Sequence, residues 1–155
     1  MNSLFKDRNF RLWMLLMQTR ELLIKVREQE ISKYGITREQ AGVLHWIINT
    51  DKEKIATAIA KWLVREPQSV SGLIARMEKS GMVKKVKEPH NKGKVNIIPT
   101  EKGQIMYRQT YKIEAIKEIM SCLSEEEYHQ IWSCLEKLRD KALSKITAIL
   151  RPPLP

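Results

Sequence analysis

The chain is poor in the residues that build metal, redox and catalytic centres. Its 155 residues include two cysteines and three histidines. Cys122 and Cys134 lack CxxC spacing, and His45, His90 and His129 lie far apart with no acid at ligand spacing, so no metal centre is expected. No phosphate-cradling loop and no nucleophile–base pair is legible, which argues against an enzyme and against a cofactor. Glu125, Glu126 and Glu127 resemble paired catalytic carboxylates only in isolation; at the first turn of a capped helix they complement its dipole. Long hydrophobic runs are missing as well. The apolar residues 12–17 are bracketed by Arg11 and Arg20, far short of the ~20 residues that span a bilayer. With no legible secretory leader, the expectation is a reduced, cytoplasmic protein in which Cys122 and Cys134 are small core residues. Neither an internal repeat nor a low-complexity segment is present.

What the chain does have is positive charge, and most of it is local. Residues 61–94 hold nine Lys/Arg against three acids, which is +6 of the chain's +10, while the other 121 residues share +4. A surplus concentrated on one module is the electrostatic footprint of a polyanion binder, because each cation that neutralises a phosphate releases a condensed counterion. A solvated surface, an acidic protein partner, or lysines guarding an exposed strand edge would leave the same trace.

The hydrophobic periodicity predicts a mainly α chain of one structural domain with a small two- or three-stranded β-wing. Residues 5–33 read as one long helix carrying Trp13, Leu16, Met17, Leu23, Ile24 and Ile31, with Gly35 as its stop. Thr37 and Gln40 form a capping box that opens a second helix, ending near Asn49. On it Ala41, Leu44, Ile47 and Ile48 share one face, while Val43 and Trp46 point the other way. A short helix over 54–64 is followed by one beginning at Pro67, where the missing N–H is no loss, and ending at Gly81. Two tight helices joined by a short turn form a helix-turn-helix. The second buries Val70, Leu73, Ile74 and Met77 and exposes Gln68, Ser69 and Ser71. Strands over 83–87 and 94–98 flank the turn residues 88–93. Thr100 caps one further helix with apolar positions from Ile105 to Met120, and Ser124 with Glu127 opens the last. On that last helix Ile131, Leu135, Leu138, Ala142, Ile146 and Ile149 make a seam suited to pairing with another helix, before Arg151, Pro152 and Pro153 end it.

The order of these elements resembles the MarR family of winged helix-turn-helix transcriptional regulators, and particular residues carry the resemblance. Ala75 to Val83 is similar to the family's D-R-L-E-K-x-G-L-V at the end of the reading helix. Thr100, Glu101, Lys102 and Gly103 reproduce its T-E-K-G, and Glu88 to Gly93 occupy the wing-tip pattern D-P-x-D-R-R. Asn91, Lys92 and Gly93 depart from the acid and two arginines of that pattern, so Lys92 offers a point charge in place of a planar fork. Gly72 stands where many relatives carry a basic residue.

The resemblance implies a homodimeric DNA-binding regulator, a repressor acting on a pseudo-palindromic operator in double-stranded DNA. Residues 37–99 would form the winged reader, and 1–36 with 100–151 the helical dimerisation region. Gln68, Ser69 and Ser71 would face base edges, Arg76 a base or phosphate, and Lys84, Lys85, Lys92 and Lys94 the DNA backbone. Arg76 would also serve the helix dipole simply by its place near a C-terminus. The seam of Leu135, Leu138, Ala142, Ile146 and Ile149 would pair with the first helix and with a second copy. Trp13, Met17, Val43 and Trp46 would line a crevice for a small aromatic or lipophilic effector, unless they are ordinary packing between helices. An architectural or replication-associated DNA binder needs the same basic wing but no effector pocket.

Overall fold

A computed structural model describes residues 3–88 and 91–146, with side chains described for 5–87 and 93–146. Of the residues singled out above, Ile149 and the terminal Arg151, Pro152 and Pro153 lie outside the described residues, as do the side chain of Lys92 and the turn residues Pro89 and His90.

The first helix, α1 (Arg8–Ser32), starts later than its apolar pattern predicts because Asp7 caps it, its Oδ1 accepting from the N–H of Asn9 (2.7 Å) and of Phe10 (2.9 Å). Phe5 falls in a separate 3-10 turn, Ser3–Lys6. α2 (Arg38–Asn49) opens on the expected capping box of Thr37 and Gln40. α3 (Ala56–Leu63) and α4 (Pro67–Lys79) follow, the latter with Pro67 in its first turn. β1 (Val83–Glu88) and β2 (Asn91–Pro99) pair antiparallel from Val83 opposite Pro99 to Glu88 opposite Asn91, with an irregularity between Lys87 and Glu88. The Ile97 N–H also donates to the Lys54 carbonyl (2.8 Å), which ties the hairpin to the entrance of α3.

α2 sits at the centre of the reading lobe. Val43, Leu44 and Ile47 are wholly buried, Trp46 nearly so, and around them close Ile59, Val70, Ile74, Met77, Val83 and Ile97. Each large aliphatic chain buried there contributes about 1.5–3 kcal/mol, so this lobe holds itself together within one chain.

The segment after the hairpin is two helices where the pattern predicts one: α5 (Glu101–Thr110) and α6 (Glu114–Met120), broken at Ile113 in the left-handed region (φ 44°). Neither glycine nor proline makes this break. α1 makes it instead: the Arg27 guanidinium donates to the Thr110 carbonyl and pairs with Glu30, whose Oε1 accepts the Ala115 N–H (3.1 Å). Groups exposed by breaking the helix are thereby satisfied from another element. Burial works against the Glu30 carboxylate, but the Ala115 N–H and Arg27 outweigh it and hold its pKa below the usual range.

The last helix, α7 (Glu125–Leu143), opens on the Ser124/Glu127 capping box and buries none of its residues. It ends at Leu143 with Ser144 as its cap, so Ile146 lies beyond the helix and does not extend its seam. Cys122 and Cys134 are exposed, not core. They belong to a segment whose apolar pattern buries no residue among the described part of the chain. No described helix is long and apolar enough to cross a membrane.

The turn between α3 and α4 carries a strained residue. Val64 is left-handed (φ 53°, ψ 49°) and half-exposed, a conformation that costs a side chain about 1–2 kcal/mol. Val64→Gly relieves that strain, offset by about 0.4–1 kcal/mol of added unfolded-state entropy. A net gain of roughly 0.5–1 kcal/mol is expected, seen in calorimetry as a rise in Tm of about 1–4 °C. A lower Tm would show that the valine contacts outweigh the backbone term.

Candidate nucleic-acid interface

α4 divides its residues cleanly. Val70, Leu73, Ile74 and Met77 face the core, while Gln68, Ser69, Ser71, Ala75 and Arg76 are exposed on the opposite side. The exposed row offers hydroxyls and an amide, which exchange hydrogen bonds with base edges, and one guanidinium. Gly72 has a positional role in this row. A Cβ built on it would lie 3.5 Å from Arg76 Nη1, so the guanidinium runs back along the helix over the glycine. Among the described residues no acid pairs with Arg76, which leaves its charge available.

The basic hairpin stands beside this row, but its lysines are not equivalent. Lys84 and Lys87 are exposed. Lys85 Nζ pairs with Glu78 of α4 at 2.9 Å, and this hydrogen bond holds the Glu78 carboxyl below its ordinary pKa. Lys94 pairs with Glu53 at 2.7 Å. These two lysines therefore brace the wing against α4 and against the segment before α3, a role that spacing alone did not reveal. Lys102 completes the brace by donating to the Ser80 carbonyl (2.8 Å) at the end of α4.

Two residues that the sequence reading passed over also belong to this face. Arg65, in the α3–α4 turn, is exposed and shares a groove of about 310 Å³ with Ser69, Arg76 and Glu39. Glu39, in the first turn of α2, accepts from both Arg65 and Arg38. Their signal in the sequence is the position of Arg65 two residues before Pro67, where the chain must turn into the reading helix.

The four residues expected either to line an effector crevice or to be ordinary packing fall into two groups. Val43 is 0% exposed and Trp46 6%, with the Trp46 indole N–H donating to the Glu53 carbonyl (3.3 Å). Trp13, by contrast, is 52% exposed and Met17 42% on the N-terminal half of α1. Val43 and Trp46 point off one face of α2, but other elements of the reading lobe cover that face too. A different hollow, of about 230 Å³, opens between α1, α2 and α5, lined by Arg27, Arg38, His45, Tyr107, Tyr111 and Ile113 among others. Its wall is an aromatic stack: the His45 ring lies 5.5 Å from Trp62 and 6.2 Å from Tyr111, both nearly parallel to it. Burial lowers the His45 pKa, so the imidazole is neutral at neutral pH. Arg27 is held by Glu30 and the Thr110 carbonyl, but Arg38 keeps a buried Nε with no hydrogen-bond partner among the described residues. A neutral aromatic floor with one donor to spare suits a flat guest bearing an acceptor or negative charge.

Comparison with known proteins agrees with this geometry. Residues 36–103 match the family model described as a winged helix DNA-binding domain. The homoprotocatechuate degradative operon repressor of Escherichia coli is 24% identical over 124 residues, spanning 79% of this chain and 83% of that protein. The organohalide-sensing transcriptional regulator RdhR, solved with 2,4-dichlorophenol bound, superposes with a TM-score of 0.84 at 26% identity, covering 100% of this chain and 94% of that one. AbsC, a MarR family transcriptional regulator from Streptomyces coelicolor, gives a TM-score of 0.80 at 15% identity over 89% of this chain and 97% of its own, a likeness of fold alone.

Proposed function

We propose that this chain, a member of the MarR family of winged helix-turn-helix regulators, is a homodimeric repressor that reads a pseudo-palindromic operator and is released from it by a small aromatic effector. The observation that carries this reading is the exposed polar row of α4, with an Arg76 that no acid among the described residues pairs, beside a wing in which Lys84 and Lys87 face solvent. Gln68, Ser69, Ser71 and Arg76 enter the major groove, while Lys84, Lys85, Lys92 and Lys94 lie along the phosphates. Residues 37–99 do the reading; 1–36 and 100–151 pair the two copies. The work is binding and not catalysis, and it is done in the cytoplasm, where the DNA is.

The effector is proposed to enter the hollow beside His45, not the Trp13/Val43 crevice. That hollow lies between the helix that carries the dimer and the lobe that carries α4, so a guest there can prefer one spacing of the two lobes. Only such a preference weakens DNA binding. RdhR, which binds 2,4-dichlorophenol, supports an aromatic guest for this fold.

Selection from a random duplex pool tests the DNA reading. Two inverted half-sites roughly one helical turn (~10 bp) apart are expected, since a two-fold dimer presents two identical reading helices. Equal affinity for all sequences at fixed salt would favour an architectural binder instead.

A further inference from the structure

We propose that Arg65 is an additional contact to the DNA backbone, and that Glu39 is the positioning residue that governs it by sharing one carboxylate oxygen between Arg65 and Arg38 of the effector hollow. This rests on the DNA-reading assignment above and names a regulation of the same surface. Glu39 Oε1 accepts from Arg65 Nη2 at 3.0 Å and from Arg38 Nη2 at 2.8 Å. Arg65 borders the groove that Ser69 and Arg76 also line, whereas Arg38 borders the hollow with Arg27, His45 and Tyr111. One carboxylate of α2 therefore stands between the DNA face and the effector hollow.

Arg38 is incompletely satisfied. Its Nε is buried without a hydrogen-bond partner, and the Glu28 carboxylate lies 3.6 Å away. A negative charge entering from the hollow gives Arg38 a better partner than its share of Glu39. Glu39 is then left to Arg65 alone, and a phosphate must compete harder for that guanidinium. The converse holds by reciprocity: a phosphate on Arg65 returns Glu39 to Arg38 and makes the hollow less welcoming to an anion. DNA and an anionic guest oppose each other through one oxygen atom without touching. All three side chains are about a third to a half exposed, so solvent limits the coupling to about five-fold or less in affinity.

The test is a set of variants of the full-length protein on the duplex recovered by selection, with affinity measured across a salt series. Arg65→Met should reduce the slope of log affinity against log salt by about 0.9, the value of one lost phosphate contact, and Arg65→Lys should restore it. Glu39→Gln should tighten binding by up to about five-fold. Arg38→Met should weaken binding several-fold in the native background and leave it unchanged in the Glu39→Gln background. A long-range charge effect of Arg38 would instead persist in both backgrounds, and such additivity overturns the shared-oxygen coupling. An unchanged salt slope in Arg65→Met overturns the contact itself, independently of how Arg38 variants behave. Failure to bind any duplex is a separate outcome, because it removes the DNA-reading assignment.

Discussion

Leu138→Glu is expected to convert the protein to a monomer and to cost most of its affinity for operator DNA. α7 buries none of its 19 residues, although most of a helix's stability in a protein comes from packing its apolar face. Leu138 is 48% exposed in the single chain, and Tyr128, Ile131, Trp132 and Leu135 are similarly bare. α1 adds a second bare row in Leu12, Trp13, Leu15 and Leu22. Rows of this extent are covered in a stable protein, and in the dimer proposed above a second copy of the same chain would cover both at once. In a two-fold interface each substitution occurs twice, and a desolvated carboxylate costs roughly 2 kcal/mol or more per copy. The dimer constant should then weaken by about a thousand-fold or more, readable by sedimentation velocity. Losing simultaneous engagement of two half-sites weakens DNA binding by about 10²–10⁴. A dimer that sediments unchanged would place the interface elsewhere on the chain.

The parts of the fold that depend on neighbouring residues were legible in the sequence. Thr37 with Gln40, and Ser124 with Glu127, sit where helices begin, and both capping boxes form. Val70, Leu73, Ile74 and Met77 recur at helical spacing and all four are buried. The parts that depend on distant residues were not. The break at Ile113 is stabilised by Arg27 and Glu30, more than 80 positions away. That Val43 and Trp46 point away from Ala41, Leu44 and Ile47 follows from a helical wheel, but which elements cover that second face of α2 does not. Exposed Cys122, in the turn before α7, and Cys134, on α7, follow from the opposite circumstance, a segment that the described residues of the chain leave largely uncovered.

The candidate site divides in the same way. That Gln68, Ser69, Ser71 and Arg76 share an exposed face follows from the period of one helix. Which lysines of the wing are free to meet a phosphate does not. Glu78 and Glu53, which engage Lys85 and Lys94, come from α4 and from the segment before α3. A charge count therefore overstates the cations on offer at the DNA face, although an engaged lysine still contributes to its field.

Gly103→Ala should be among the most destabilising single methyl additions available to this protein, for a reason that lies in the Thr100–Gly103 motif. The Thr100 hydroxyl accepts the Gly103 N–H (3.1 Å) and lies within hydrogen-bonding distance of the Gly81 and Met82 carbonyls, at 2.6 and 3.1 Å, to which it can donate. The Thr100 N–H donates to the same Met82 carbonyl (3.1 Å), so the start of α5 is bound to the end of α4. A Cβ on Gly103 would lie 2.1 Å from that carbonyl oxygen and 3.2 Å from Leu44 Cδ2. The oxygen cannot retreat without losing its hydrogen bonds and displacing Val83, which is 2% exposed in the core. Overpacking that moves backbone costs about 3 kcal/mol or more, against which alanine recovers only about 1 kcal/mol of helix propensity. A net loss of roughly 2–3 kcal/mol corresponds to a fall in Tm of about 4–12 °C. Gly81→Ala is the internal comparison: its φ is +73° but nothing lies within 4 Å of the added carbon, so it pays only the left-handed term of about 1–2 kcal/mol. If Gly103→Ala unfolds no earlier than Gly81→Ala, the close approach of Met82 is not the reason a glycine stands there. Because Met82 joins the reading helix to the first strand of the wing, the surviving folded fraction of Gly103→Ala should also bind DNA less tightly, and an unaltered affinity in that fraction would show that the wing tolerates the displacement.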